Sequence, residues 1–295
     1  METGVHVVAG ATGFLGNEIC GRLIEHGHRV RALVRASSDA ERVEALRALG
    51  VEVVEADLRE PETLGPACVG ASVVLSGATA IRTARDGDTF ASVDRDGNLA
   101  LVAAARDAGA SRFVFVAFPE FGPDSPLTRA KRAVEQGLSA SGLDFIVLQP
   151  GVFHESWLGP AVGFDAAAGT LIISGSGTAA NGWVSLTDVA AAAAAAADSA
   201  EAVYTSIPLA SERLSYNEII AIFEQETGRT FEVTRVPEEE LEAQRRAAAN
   251  EWEESFAALA LAVAHGAVSP STDRLPALGV KTPRTVRDYA RQFAT

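Results

Sequence analysis

The chain has 295 residues, 47% of them hydrophobic, with 25 basic against 39 acidic side chains and a formal net charge of −14. This apolar content can fill a sizeable core and argues against disorder, while the acidic balance argues against nucleic acid and anionic membrane surfaces, which attract clustered Lys and Arg. Cys20 and Cys68 lack any paired-ligand spacing, which argues against a disulfide framework and against a metal site.

The N-terminus METGVHVVAG has neither the basic start nor the long apolar stretch of a signal peptide. The alanine run 190–197 is too short to cross a bilayer. The expected location is cytoplasmic.

The first half alternates strand and helix signals. VHVVA (5–9) is a short β-rich run, and the helical pattern over 14–26 is ended by Gly27. RVRALV (29–34) is the second strand. Ser38 and Glu41 suggest a capping box for a helix reaching Leu49, closed by Gly50. VEVVEA (51–56) is the third strand, a short helix starts near Pro61, and ASVVLSG (71–77) is the fourth strand. A helix over 98–109 leads into RFVFVAF (112–118). Ser125 as N-cap and Pro126 at the first helical position open the helix that carries Lys131, and LDFIVLQ (143–149) is the sixth strand.

These strands are near-continuous apolar runs, as in a parallel sheet covered on both faces. Right-handed crossovers then give a doubly wound α/β sheet with ligands at the carboxyl ends of its strands. After Pro150 the rhythm changes. Strand signals at 171–174, 203–207 and 230–236 mix with helices and the loop SGSGTAANG (174–182). Asp188 reads as the N-cap of the alanine-rich helix, Ser215 and Glu218 as a capping box, and Thr282 with Pro283 as the start of a last helix ending near Phe293. The expected organisation is a Rossmann-type domain over 1–150 and a smaller α+β substrate-binding lobe over 151–295, interleaved with the sheet edge.

GATGFLG places Gly10, Gly13 and Gly16 between the first strand and the first helix. Gly10 permits the tight turn, Gly13 lets backbone approach a pyrophosphate, and Gly16 lets helix pack on strand. With Thr12, Phe14 and Leu15 these residues form the expected dinucleotide contact. An NAD site usually carries an acid about 20 residues on, at the end of the second strand. This chain has Arg35 there, with Ser38 nearby, so a guanidinium for a 2′-phosphate is expected and NADP(H) is favoured. Asp57, followed by Leu58, either accepts from the adenine amino group or caps the short helix. Ser76, Gly77 and Ala78 end the fourth strand with small residues against which cofactor can lie.

GATGFLG, VRALVR (30–35), ADL (56–58) and LQPGVF (148–153) together resemble the atypical, or extended, short-chain dehydrogenase/reductases, and within them the NmrA-like group. SLTDVA (185–190) and the stretch 214–241 are similar to that group's C-terminal lobe. The resemblance covers nearly the whole chain. It implies nucleotide binding, with Pro150 and Phe153 beside the cofactor, and says little about substrate.

The resemblance also implies a Tyr-x-x-x-Lys pair on the helix after the fifth strand. Here Leu127 stands at the tyrosine position while Lys131 remains, and Ala117 and Phe118 stand where a serine is usual. Leucine cannot exchange a proton, and a positioned acid is worth about 10²–10⁴ in rate. Lys131 is read as a ribose-binding residue or a plain surface charge, and His154 as the one titratable proton donor or a hydrogen-bonded loop residue.

Three expectations follow. The first is an NADPH-dependent reductase acting on a flat, apolar, electron-poor small molecule (quinone, iminium, enone or azo), with Leu127, Phe118, Phe121 and Phe153 as apolar neighbours. The second is a non-catalytic NADP(H)-sensing regulator. The third is a ketoreductase or epimerase with its acid moved to His154 or Thr128. Trp157 and Trp183 either line the pocket or pack in the core. Oligomeric state is left open by the sequence.

Overall fold

The computed structural model describes residues 4–81, 87–120, 122–199, 205–266, 268 and 270–294. The chain divides into two compact units: Met1–Ala117, Leu127–Leu148 and Ala190–Ile207 form the first, and Phe118–Pro126, Gln149–Val189 and Pro208–Thr295 form the second. The chain enters the second unit first at Phe118–Pro126 and again at Gln149, and returns to the first for 190–207.

The first unit is built on strands β1 (Val5–Ala9), β2 (Arg29–Val34), β3 (Glu52–Glu55), β4 (Ala71–Ser76), β5 (Arg112–Val116) and β6 (Asp144–Pro150), which runs two residues beyond the unit. A seventh strand, Thr205–Leu209, edges the sheet, whose order is Thr205–Leu209, β6, β5, β4, β1, β2, β3. The neighbours from β6 to β3 pair in parallel, as the Rossmann-type expectation required. Every residue of β1 is buried, which is what a strand covered on both faces needs. The core gathers Val7, Val74, Phe113, Phe115, Val147 and Leu138. Strand order reverses between β1 and β4, and that switch point opens at the carboxyl ends where the glycine turn sits.

The helices are α1 (Phe14–Glu25), α2 (Ala40–Ala48), α3 (Pro61–Cys68), α4 (Asn98–Asp107) and α5 (Pro126–Ser141). Gly27 and Gly50 have φ of 84° and 82°, in the left-handed region that ends a helix without a Cβ penalty. The cap of α2 differs from expectation. Asp39 accepts from the Arg42 amide at 3.1 Å, whereas the Ser38 hydroxyl accepts from the Arg35 amide at 3.0 Å. The carboxylate one residue nearer the helix fits the N-cap, and the serine tightens the preceding turn. The sequence also gave no sign of the π-helix Phe90–Gly97, capped by Thr89 and Ser92, which runs directly into α4.

The second unit holds two three-stranded sheets. One orders Glu212–Ser215, Ala180–Val184 and Val152–Phe153, and the other Glu232–Val236, Thr170–Ser174 and Phe164–Asp165. Trp183, Phe164, Phe223 and Ile219 are fully buried in its core. Ser215 and Glu218 make the expected capping box for Tyr216–Thr227. Asp188 is not an N-cap: the alanine-rich helix Leu186–Asp198 starts two residues earlier. The Glu155 carboxylate accepts from the Leu186 amide at 3.1 Å, and Asp188 accepts from the Arg284 amide at 2.7 Å. The last helix, Val286–Ala290, is capped by Thr285 rather than Thr282.

Candidate functional site

The glycine turn has the geometry its spacing requires. Gly10 has φ 78°, and a Cβ there would lie 3.0 Å from the Ala78 backbone. The Gly13 amide donates to the Gly10 carbonyl at 3.0 Å, closing the turn. A Cβ on Gly16 would stand 2.2 Å from the Gly10 carbonyl oxygen, so only glycine lets α1 start this close to the turn. Gly13 caps α1 with no side-chain hydrogen bond, and no acid occupies the first turn. The positive pole of the helix therefore meets no capping side chain at its N-cap and no acid in its first turn, which suits a diphosphate. Half-buried Thr12 gives its carbonyl to the Arg42 guanidinium at 3.0 Å, and Arg42 lies over the exposed Phe14 ring at 5.1 Å. Leu15 would meet a Cβ on Gly77 at 3.5 Å, so the turn packs directly on the end of β4.

Arg35 directly follows β2 as a charged group already in a network. Its Nη1 donates to both oxygens of Asp88, at 3.1 and 3.0 Å. Asp88, whose side chain is 1% exposed, also faces Arg59 at 3.4 Å, and Arg59 pairs with Asp57 at 3.0 Å. Among the described residues, Arg35 Nε and Nη2 carry no hydrogen bond, so one face of the guanidinium fork remains to meet a phosphate. Burial pushes the Asp57 carboxyl up, but hydrogen bonds from Arg59 outweigh it and leave it below the usual carboxylate range. Asp57 also accepts from the Arg59 amide at 2.9 Å, which forms a local turn; the cap position of α3 is Glu60. Leu58 faces Gly97 so closely that a Cβ there would lie 2.7 Å from the Leu58 Cβ.

Lys131 is not a surface charge. It is 4% exposed. Its Nζ lies 3.1 Å from Asp94 Oδ1 and 3.4 Å from the Ala78 carbonyl, and 5.0 Å from the Phe115 ring centroid. The other Asp94 oxygen accepts from the Ala80 amide at 2.8 Å. Beside this pair, Ser76 donates to Asn98 at 2.6 Å and accepts from the Ala78 amide at 3.4 Å. The lysine therefore holds the chain that leaves β4, at the carboxyl edge of the sheet. Leu127 and Ala117 are buried at 1% and 6% exposure, and neither side chain carries a proton.

Sequence reading missed Arg42, Asp88, Asp94 and Asn98. Arg42 had a usable signal, as a cation in the first turn of the helix after β2. Asp88 and Asp94 had none, because their partners lie 53 and 37 positions away.

The other expected site residues belong to the second unit. Pro150 is buried and Phe153 half-buried. His154 is 1% exposed, its ring 6.4 Å from Trp183 and 6.3 Å from Tyr289. Burial drives its pKa down from 6.5 to about 4, so it is neutral at physiological pH and holds no proton to donate as a cation. Trp183 packs on Tyr216 at 5.5 Å and donates to the Leu214 carbonyl at 2.9 Å, which is core packing. Phe121 lies outside the described residues, as does the start of the strand signal over 203–207.

The NmrA-like family matches residues 2–290. The chain belongs to the NmrA-like family. This NmrA-like chain is 35% identical over 156 residues to the photosystem II assembly factor Ycf39 of Synechocystis, covering 52% of this chain and 46% of that protein. It thus spans about half the length of that curated relative. Its fold matches that of a Citrobacter triphenylmethane reductase solved with NADP(H), at a TM-score of 0.78, 22% identity and coverage of 98% and 99% of the two chains. The NADPH complex of an Escherichia coli NADPH-dependent quinone oxidoreductase gives 0.77, 19%, 97% and 99%. Among the described residues of this NmrA-like chain, no helix is long and apolar enough to cross a membrane.

Proposed function

We propose that the chain is an NADPH-dependent reductase of flat, apolar, electron-poor small molecules such as quinones, iminium ions, enones or azo compounds. The observation that carries this reading is the pairing of a nucleotide-shaped turn with two side chains that hold no proton, Leu127 and Ala117, at the positions where the resemblance expects tyrosine and serine. Gly10, Gly13 and Gly16 let α1 start tight against the turn with no side-chain cap and no acid in its first turn, while Leu127 and Ala117 are both buried. Residues 10–16 would hold the diphosphate, Arg35 and Arg42 the 2′-phosphate side, and Ser76 to Ala78 would present small groups to the rest of the cofactor. When bound, NADPH supplies a hydride. Lys131, ion-paired with Asp94 and donating to the Ala78 carbonyl, fixes the segment after β4 and would offer a further donor to a ribose hydroxyl. Neutral, buried His154 leaves the closing proton to solvent, which is adequate only where the acceptor itself spreads incoming negative charge. That requirement selects conjugated acceptors over simple ketones and disfavours an epimerase with a relocated acid.

The test is steady-state oxidation of NADPH against a panel of quinones, cationic triarylmethane dyes, enones and azo compounds, beside a simple ketone control. Turnover with one conjugated class and none with the ketone supports the reading. A second reading, an NADP(H)-sensing partner of other proteins, draws on the same Leu127 and Ala117 in place of tyrosine and serine and on the similarity to an assembly factor. Saturable NADPH binding with no turnover on any panel member would select it.

A further inference from the structure

The amino edge of the same sheet carries a constellation that the reductase reading does not use. His6 is the second residue of β1, His28 immediately precedes β2, and Asp198 ends the helix Leu186–Asp198. All three belong to the first unit. One donor atom from each lies within 4.8 Å of the others. His28 Nε2 is 2.7 Å from Asp198 Oδ1, and His26 Nδ1 is 3.0 Å from Asp198 Oδ2. The His6 ring stacks on His28, with centroids 4.1 Å apart and planes 30° from parallel.

Asp198 accounts for His26 and His28, because a carboxylate at a helix end bridging two imidazoles is an ordinary clamp. It leaves His6 unaccounted for. His6 is 6% exposed, and neither of its ring nitrogens has a hydrogen-bond partner. A buried polar group without a partner loses its hydration with nothing in return, and such groups in folded proteins generally have an ion, water or a functional role as the reason. The geometry points to a divalent transition-metal site formed by His6, His28 and Asp198. Two imidazoles and one carboxylate suit zinc, cobalt or nickel rather than calcium or magnesium, which take all-oxygen shells.

Metal–ligand bonds of about 2.0–2.2 Å draw donors inward by roughly an ångström from their present spacing. Two of the ligands can make that movement, since the His28 and Asp198 side chains are 23% and 38% exposed. The same exposure leaves a coordination position for water or for His26, which already touches the second Asp198 oxygen. Imidazole binds metal through an unprotonated ring nitrogen, and both ring nitrogens of His6 are without a hydrogen-bond partner. The bound ion would tie the carboxyl end of the Leu186–Asp198 helix to β1 and β2. Arg112 supports the same helix end from β5, donating to the Ala196 carbonyl at 3.2 Å.

The experiment uses the full chain, without a polyhistidine tag and freed of metal by chelation. Calorimetric titration with Zn(II), and absorption spectra with Co(II), should show one equivalent bound with sub-micromolar affinity. His6→Phe and Asp198→Asn should each weaken that binding by more than ~100-fold, with NADPH affinity unchanged, because the cluster lies at the opposite edge from the glycine turn. Absence of saturable uptake overturns the site, as does uptake undiminished in both variants. Should either variant fail to fold, imidazole NMR signals of the unmodified chain decide. Zn(II) must shift His6 and His28, and shifts confined to exposed His26 and His265 overturn the site.

Discussion

The two edges of the seven-stranded sheet are written into the chain in different ways. At the carboxyl edge, the turn from Gly10 to Gly16 is contiguous, and each glycine answers a local steric demand: a φ of 78° at Gly10, and a forbidden Cβ 2.2 Å from a carbonyl at Gly16. At the amino edge, His6, His28 and Asp198 meet only because β1, β2 and a late helix end together. Backbone-shaped sites are legible as short motifs, whereas side-chain constellations are written in topology. Lys131 and Asp94 follow the second rule although they lie at the carboxyl edge, since 37 positions separate them.

The sharpest way to probe an assembled pair is to remove half of it. Lys131→Met leaves Asp94, fully buried, without its cation, and is expected to cost about 3–5 kcal/mol. Adding Asp94→Asn should recover a large part of that loss, as a urea-denaturation double-mutant cycle would show. If the single variant is as stable as the parent, the lysine is not held as described. The contiguous motif has its own counterpart. Gly16→Ala forces a Cβ against backbone that cannot give way. It should lower stability by about 3 kcal/mol and abolish nucleotide binding, by thermal denaturation and NADPH titration.

These contrasts explain what was legible. Six strands, the glycine turn, the Gly27 and Gly50 helix ends, and the Ser215–Glu218 capping box depend on nearest neighbours, and the structure has them. The cap of α2 fell one residue away because Ser38 and Asp39 are both good caps, and the backbone path, not composition, chose the carboxylate. The π-helix was hidden because nothing in FASVDRDG distinguishes i→i+5 from i→i+4 bonding. Arg35 directly follows β2, but its partner Asp88 was invisible, being 53 positions away.

His154 shows the same limit in a different unit, since a lone histidine has no local signature of burial. Its pKa near 4 in the fold lies below its ordinary 6.5. The unfolded chain therefore binds the proton more readily between those values. Stability contributed by the neutral ring is complete above about pH 6.5 and is lost as pH falls toward 4, by about 3 kcal/mol at most. His154→Phe should flatten that acid arm in pH-dependent denaturation. A profile unchanged by the substitution would mean that the ring is not neutral by burial.

The central claim is that the glycine turn grips a diphosphate while Arg35, despite its contact with Asp88, selects the 2′-phosphate. Calorimetric titration of the parent and Arg35→Gln with NADPH and NADH tests it most directly. The expected result is NADPH favoured over NADH by at least about tenfold in the parent, with most of that preference gone in the variant, as loss of a charge-assisted hydrogen bond worth about 1.5–3 kcal/mol implies. Equal affinity of the parent for both nucleotides, or binding of neither, would contradict it.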